Sequence, residues 1–171
     1  GDGAGLVVVR GHRNNDRRLT AMRGHADQLA TNLPAPASAV PRAGNTRLRV
    51  RYCECDPMNV AHHAAYIPWL EIGRTELLRA GGVAYAQLER AGVFLVIAKL
   101  EAAYRRPVLY DDVVEVRTRV TSASRVKVVH AYEIAVVERA GEATEIVAAV
   151  AGSTLACVDR DGRVQTLPAW L

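Results

Sequence analysis

The stretch YCECDPMNVAHHAAYIPWLEIGR, residues 52–74, gathers two cysteines, several acids and two adjacent histidines where a strand pattern gives way to a helical one. Metal binding is the first chemistry to weigh, since Cys53, Cys55, Asp56, His62 and His63 are all possible ligands. A structural zinc site draws its ligands from two separated knuckles such as paired CxxC units, and neither CxC nor HH has that spacing. Strand parity also sends Cys53 and Cys55 to the face opposite Tyr52 and Asp56. No metal is expected, and both cysteines, with Cys157, read as small packed hydrophobes. Nucleophilic catalysis fares worse: Ser153 sits in AGSTL rather than a GxSxG elbow, and no cysteine stands at a helix start that would favour its thiolate. Acid/base or carboxylate chemistry remains. Asp56 lies just past a strand end and His63 follows seven residues later. The helix start beyond them offers free backbone N–H groups and a positive dipole end, where an anionic intermediate would be stabilised.

The elements that must position these groups read as follows. From Thr46, Leu48, Val50 and Tyr52 alternate with Arg47, Arg49 and Arg51, the period-2 signature of a half-buried strand. The same parity carries Glu54 and Asp56 to the apolar side, and Pro57 ends the strand. Pro68 lacks the N–H that a helix interior needs, so it belongs in a first turn; the helix therefore starts near residues 64–67, with His63 at its amino end and AGG at 80–82 to stop it. A short second helix is expected over Tyr85–Arg90. Four strand-like runs follow, separated by VLYDD, AS and AGEA, links short enough to predict antiparallel neighbours. The last run is apolar on both parities, as in a strand covered on both faces. One helix of about 24 Å covers such a sheet most economically if the sheet curls around it, and the uncovered face and edges would then favour pairing with another subunit.

A chain of 171 residues, 50% hydrophobic and 23% charged, can bury one sizeable core. Residues 1–45 mix Gly, Arg, Asn, Ala and Pro without sustained periodicity and read as an N-terminal extension, leaving 46–171 as the folded domain. Within the extension, GLVVV could pair as a strand, and GDGAGL only superficially suggests a phosphate loop, since no strand precedes its glycines. The net charge of +4 is concentrated in Arg residues of the first 51 positions and implies no nucleic-acid partner. Three cysteines cannot close a disulfide framework, no apolar run reaches the roughly 20 residues of a membrane span, and the amino-terminal stretch lacks a secretory pattern. A reducing cytoplasm is the expected home.

At this point the residues carry a resemblance. RVRYCECDPMNVAHHAAYIPWLEIGRTELLRAGG resembles the opening of the YbgC-like, 4-hydroxybenzoyl-CoA thioesterase branch of the hotdog superfamily. Tyr52, Asp56, His63, Tyr66, Glu71 and Arg74 fall on that family's spacings, and YRRPVLYDDVVEVRT is similar to its Tyr-x-x-Pro and paired-Asp stretch. The likeness covers roughly residues 46–170. Three positions depart from it: Asn59 stands where Gly is frequent, His62 where an aromatic residue is, and Ala65 where Asn or Ser is. Asn tolerates a left-handed turn nearly as well as Gly, so the loop should survive.

The resemblance implies an α+β hotdog fold, a long central helix wrapped by a curled five-stranded antiparallel sheet, and an acyl-CoA thioesterase that needs neither metal nor cofactor. It also implies a homodimer or homotetramer with active sites between subunits. Asp56 would be the general base or a nucleophile, His63 would orient the thioester or the water, and Tyr52 would position Asp56. Amides of Ala64, Ala65 and Tyr66 would hold the oxyanion, while Arg105, Arg106 and Lys99 could meet the phosphates of coenzyme A. Glu71 and Arg74 read as an ion pair, and Trp69 as packing. Two other readings stay open: a hydratase or dehydratase on the same fold, and a non-enzymatic acyl-CoA-binding module.

Overall fold

Pro68 dictates where the long helix can begin. The computed structural model, which describes residues 33–171, puts it at the third position of helix α1 (Tyr66–Ala80), within the first turn, where its missing N–H costs nothing. A 3-10 turn over His63–Ala65 leads directly into α1. At the other end, Gly81 and Gly82 receive the chain, and Gly82 takes φ +85°, which a residue with a side chain rarely adopts. The second helix, α2, spans Tyr85–Arg90 as expected.

Five strands follow the periodicity: β1 (Ala43–Arg49), β2 (Phe94–Tyr104), β3 (Val113–Ala123), β4 (Lys127–Arg139) and β5 (Glu142–Val158). All pairs are antiparallel and the order is β1-β3-β4-β5-β2. The sheet curls against α1, whose Trp69 and Leu70 meet Val114, Val116, Ile134 and Val136 in the core. Burying each such side chain contributes about 1.5–3 kcal/mol. β5 carries buried residues on both parities, Ala148 and Ala149 among them, which matches its two-sided apolar pattern.

Two expectations are corrected. Strand β1 begins at Ala43 and stops at Arg49, so the period-2 pattern does not continue to Asp56. The VLYDD link does not join sheet neighbours either: β2 lies at one edge beside β5, whereas β3 lies between β1 and β4. Residues 105–112 instead cross the strand ends. The Arg105 and Arg106 N–H groups donate to the Ala148 carbonyl of β5, and Arg139 of β4 donates to the Pro107 carbonyl at 3.1 Å. A short link forces proximity of its two ends, and a curled sheet brings the ends of non-adjacent strands close enough to satisfy it.

Of the extension expected over 1–45, residues from Pro34 belong to the same unit as the sheet. Ala37 and Ser38 donate their N–H groups to the Gly81 carbonyl. GLVVV and GDGAGL lie outside the described residues. Among the described residues no helix is long and apolar enough to cross a membrane.

At Gly73 helix and sheet pack so tightly that an added methyl would collide with Thr118 Oγ1 and lie 3.0 Å from Val116 Cγ1. Gly73→Ala should therefore destabilise the fold by about 1–3 kcal/mol, although alanine is the better helix former. Urea denaturation of the two proteins checks this; an alanine variant as stable as the parent would contradict the packing.

Candidate active site

Between β1 and α1 the chain is captured locally before it can extend the sheet. The Arg51 N–H donates to the Glu54 side chain at 2.7 Å, Glu54 N–H returns to the Arg51 carbonyl at 3.0 Å, and a 3-10 turn forms over Tyr52–Glu54. This turn breaks the strand parity. Tyr52, expected on the apolar side, is 79% exposed and packs edge-on against Tyr110 at 5.7 Å between ring centroids. Cys53 is exposed rather than packed, Cys55 is half-buried against the core, and Cys157 is buried. Glu54 instead turns inward, where its carboxylate accepts from the Arg51 guanidinium at 2.7 Å and the Trp69 indole N–H at 3.0 Å. Burial pushes the Glu54 pKa up, but the hydrogen bonds from Arg51 and Trp69 outweigh it and hold the group below the usual carboxylate range.

Asp56 sits in the next turn. Its Oδ1 accepts the Met58 N–H at 2.9 Å, its carbonyl accepts the Asn59 N–H at 2.9 Å, and its own N–H donates to the Val60 carbonyl at 2.9 Å. Asn59 takes φ 64°, the left-handed conformation that its side chain tolerates. Backbone bridges Cys55–Ala61 and Val60–Leu109 seat this turn against the 105–112 crossover. Asp112, 2% exposed, fastens the crossover in turn: it takes two bonds from the Arg139 guanidinium, at 2.9 and 2.7 Å, and accepts the Leu109 N–H at 2.8 Å.

These anchors leave a cleft of about 370 Å³ lined by Asp56, His63, Tyr66, Tyr104, Arg105 and Arg106, with Met58, Val60, Ala61 and Pro107 as its apolar wall. Asp56, His63, Tyr66 and the two arginines thus line one cleft, whereas Ala64 and Ala65 are not among its lining residues. Tyr52 does not line the cleft, so the hold on the Asp56 carboxylate is the Met58 amide rather than Tyr52. Lys99 stands apart as well: it lines a separate concavity across β2, β4 and β5 and pairs with Glu101 at 2.7 Å.

The helix start is less open than its sequence suggests. The Ala64 N–H donates to His62 Nδ1 at 3.2 Å, and the Ala65 N–H donates to the His62 carbonyl at 2.8 Å, because the 3-10 turn closes bonds that a bare helix end would leave unmade. His62 and His63 pack with ring centroids 4.0 Å apart. Tyr104, which no spacing argument singled out, donates its hydroxyl to the His63 carbonyl at 3.0 Å and packs edge-on against Tyr66 at 4.9 Å. Its signal was its place in the Tyr-x-x-Pro stretch. The Tyr66 hydroxyl is pushed up to about 12 by burial, then by the neighbouring Tyr104 and Asp112, so it is a neutral donor at ordinary pH. Glu71 and Arg74 pair at 2.9 Å, as their spacing suggests, and Trp69 is 1% exposed in the core.

One helix inside a curled five-stranded antiparallel sheet, with a carboxylate and an imidazole at the helix mouth, is the hotdog thioesterase architecture. The model of the thioesterase-like superfamily matches residues 50–171, and the chain belongs to that family. It is 32% identical over 114 residues to "Putative acyl-CoA thioesterase YneP" of Bacillus subtilis, covering 67% of this chain and 78% of that one. It is 35% identical over 75 residues to "Acyl-CoA thioester hydrolase YbgC" of Escherichia coli, covering 44% and 56%. Among solved structures, a DHNA-CoA thioesterase from Staphylococcus aureus superposes with a TM-score of 0.64 at 29% identity, covering 73% of this chain and 79% of that one.

Because the Glu54 pKa is lowered in the fold, its stabilisation is fully present above the unfolded carboxyl value of about 4.3 and is lost as pH falls through the folded value. Glu54→Gln should cost about 1–3 kcal/mol at neutral pH, and the stability gap between variant and parent should shrink on acidification below about pH 4. Denaturant titrations at several pH values measure that gap; one that stays constant would mean that the Glu54 charge does not hold the turn.

Proposed function

We propose that this protein hydrolyses acyl-CoA thioesters to a free acid and coenzyme A, with Asp56 as general base. The observation that carries the reading is the convergence of Asp56 and His63 on one cleft at the mouth of α1. Family membership and the names of the relatives support thioester hydrolysis as its chemistry. The assignment of roles rests on the geometry.

With Oδ1 engaged by the Met58 amide, the other Asp56 oxygen takes a proton from water as that water adds to the thioester carbonyl. His63, which lines the same cleft, orients the thioester. Negative charge then develops on the carbonyl oxygen, and N–H groups at the helix start receive it. The Ala64 N–H becomes the donor when the substrate oxygen replaces the exposed His62 ring, and Ala65 and Tyr66 contribute through the positive end of the helix dipole. The thiolate leaves without strong acid assistance, since a thiol of pKa about 8.5 is a good leaving group. Arg105 and Arg106, both exposed at the cleft edge, meet the coenzyme A phosphates.

A homodimer or homotetramer fits the exposed Val96 and Ile97 of edge strand β2. Three free cysteines suit a reducing, cytoplasmic setting.

The test is thiol release from a panel of aliphatic and aromatic acyl-CoAs. Asp56→Asn should lower kcat by about 10²–10⁴-fold with little change in KM, because the amide keeps the turn but cannot take the proton. Wild-type turnover in that variant would remove Asp56 from the mechanism. Enoyl-CoA hydration with no thiol released from any thioester would replace hydrolysis with the hydratase reading.

A further inference from the structure

Among the described residues Tyr52 and Tyr110 are the two most exposed aromatic side chains, at 79% and 50%. Their rings meet edge to face, 88° apart with 5.7 Å between centroids. Such a contact covers one face of one ring and leaves the faces of the other open. A single exposed apolar side chain is ordinary, whereas aromatic surface gathered in one exposed place marks a site of interaction. The hydrolysis derived above uses neither ring.

The segments that carry the two rings also wall the cleft. Tyr52 opens the turn that leads to Asp56, and Tyr110 lies on the crossover that brings Arg105 and Arg106 to the cleft. Backbone pairing runs without a break from cleft to rings. The Ala61 N–H donates to the Val108 carbonyl at 2.7 Å, Val60 bridges Leu109, and the Asp111 N–H donates to the Val50 carbonyl at 3.1 Å. Val60 and Ala61 line the cleft, so Tyr110 stands one residue past the partner of its wall. Four residues on from Arg106 is at most about 14 Å of chain, and the arginine side chain reaches along part of that length. The arginines beside the rings are already matched, Arg51 with Glu54 and Arg49 with Asp111 and Glu138. What the pair itself offers a guest is therefore flat ring surface and not charge.

We propose that Tyr52 and Tyr110 form a stacking platform for the adenine base of coenzyme A, outside the cleft that holds the thioester. This rests on the reading of acyl-CoA as the substrate. With the diphosphate at Arg105 and Arg106, the purine lies on an open tyrosine face. Adenine is planar and uncharged, and stacking needs only its π-face; neither the thioester nor the pantetheine arm has one to offer. The contact is remote from the reacting carbonyl and is the same in ground and transition states, so it lowers KM and leaves kcat alone.

Two measurements on the full chain test this: NMR and calorimetric titration with adenosine 3′,5′-bisphosphate, and steady-state kinetics with one acyl group carried on coenzyme A and on pantetheine. The expected result is saturable nucleotide binding that shifts the Tyr52 and Tyr110 ring resonances. Tyr52→Leu and Tyr110→Leu, both at exposed positions, should weaken that binding and raise KM for the acyl-CoA about fivefold or more, with KM for the acyl-pantetheine unmoved. Tyr110→Phe, which keeps the ring, should restore parent values. Three results would overturn the proposal: no saturable binding of the nucleotide to the parent, unchanged nucleotide affinity in both leucine variants, or an equal rise in KM for the acyl-pantetheine, which would give the rings to the acyl arm or to support of the turn. Ring-dependent nucleotide binding without thiol release from any acyl-CoA would remove the hydrolase reading and keep the platform; thiol release with nucleotide affinity indifferent to the rings would remove the platform alone.

Discussion

The Glu54 carboxylate, buried between the first strand and the long helix, decides where the chain can go between them. It captures the Arg51 N–H and guanidinium on one side and the Trp69 indole on the other, so the turn that precedes Asp56 is tied to the helix that follows it. A buried charge is tolerated only when its partners are complete. Any movement of the turn relative to the helix would leave this one short of a donor. The position of Asp56 relative to the helix mouth follows from that constraint, two residues further along the chain.

The opposite wall of the cleft is held by the same kind of device. Asp112 and Arg139 form a two-bond pair, and Arg139 also grips the Pro107 carbonyl. The crossover that carries Arg105 and Arg106 is thereby fastened to the end of β4. Two buried carboxylates, neither of them in the cleft, thus set its two walls. Catalytic groups on turns need rigid support of this sort, because a turn alone has too few contacts to fix a side chain.

Much of this was legible in the sequence where a residue's own covalent geometry decides the outcome. Pro68 located the helix start, the glycines at 81 and 82 its end, and Asn59 the left-handed position of the loop. The convergence of Asp56 with His63 was likewise readable from their spacing around a strand-to-helix transition. What was not legible depends on competition between partners. An alternating pattern from Leu48 to Asp56 suits a strand, but the Glu54 side chain offers Arg51 a nearer acceptor than any neighbouring strand does, and the parity is lost there. Tyr52 and Cys53 faced outward as a result. Link length misread the crossover at 105–112 because a short connection limits only the distance between its ends, and curling brings distant strands within that distance. The engagement of the Ala64 amide by His62 follows from the orientation of one ring, which spacing does not report.

The account comes down to a carboxylate that activates water instead of attacking the thioester itself. Single-turnover hydrolysis in ¹⁸O-enriched water, with enzyme in excess over acyl-CoA, tests this most directly, followed by mass analysis of the acid and of the peptide containing Asp56. Direct attack by water predicts that the first acid released carries ¹⁸O while the Asp56 peptide stays unlabelled. Unlabelled acid together with ¹⁸O in the Asp56 carboxyl group would mean that an anhydride forms on the enzyme, and would contradict the account.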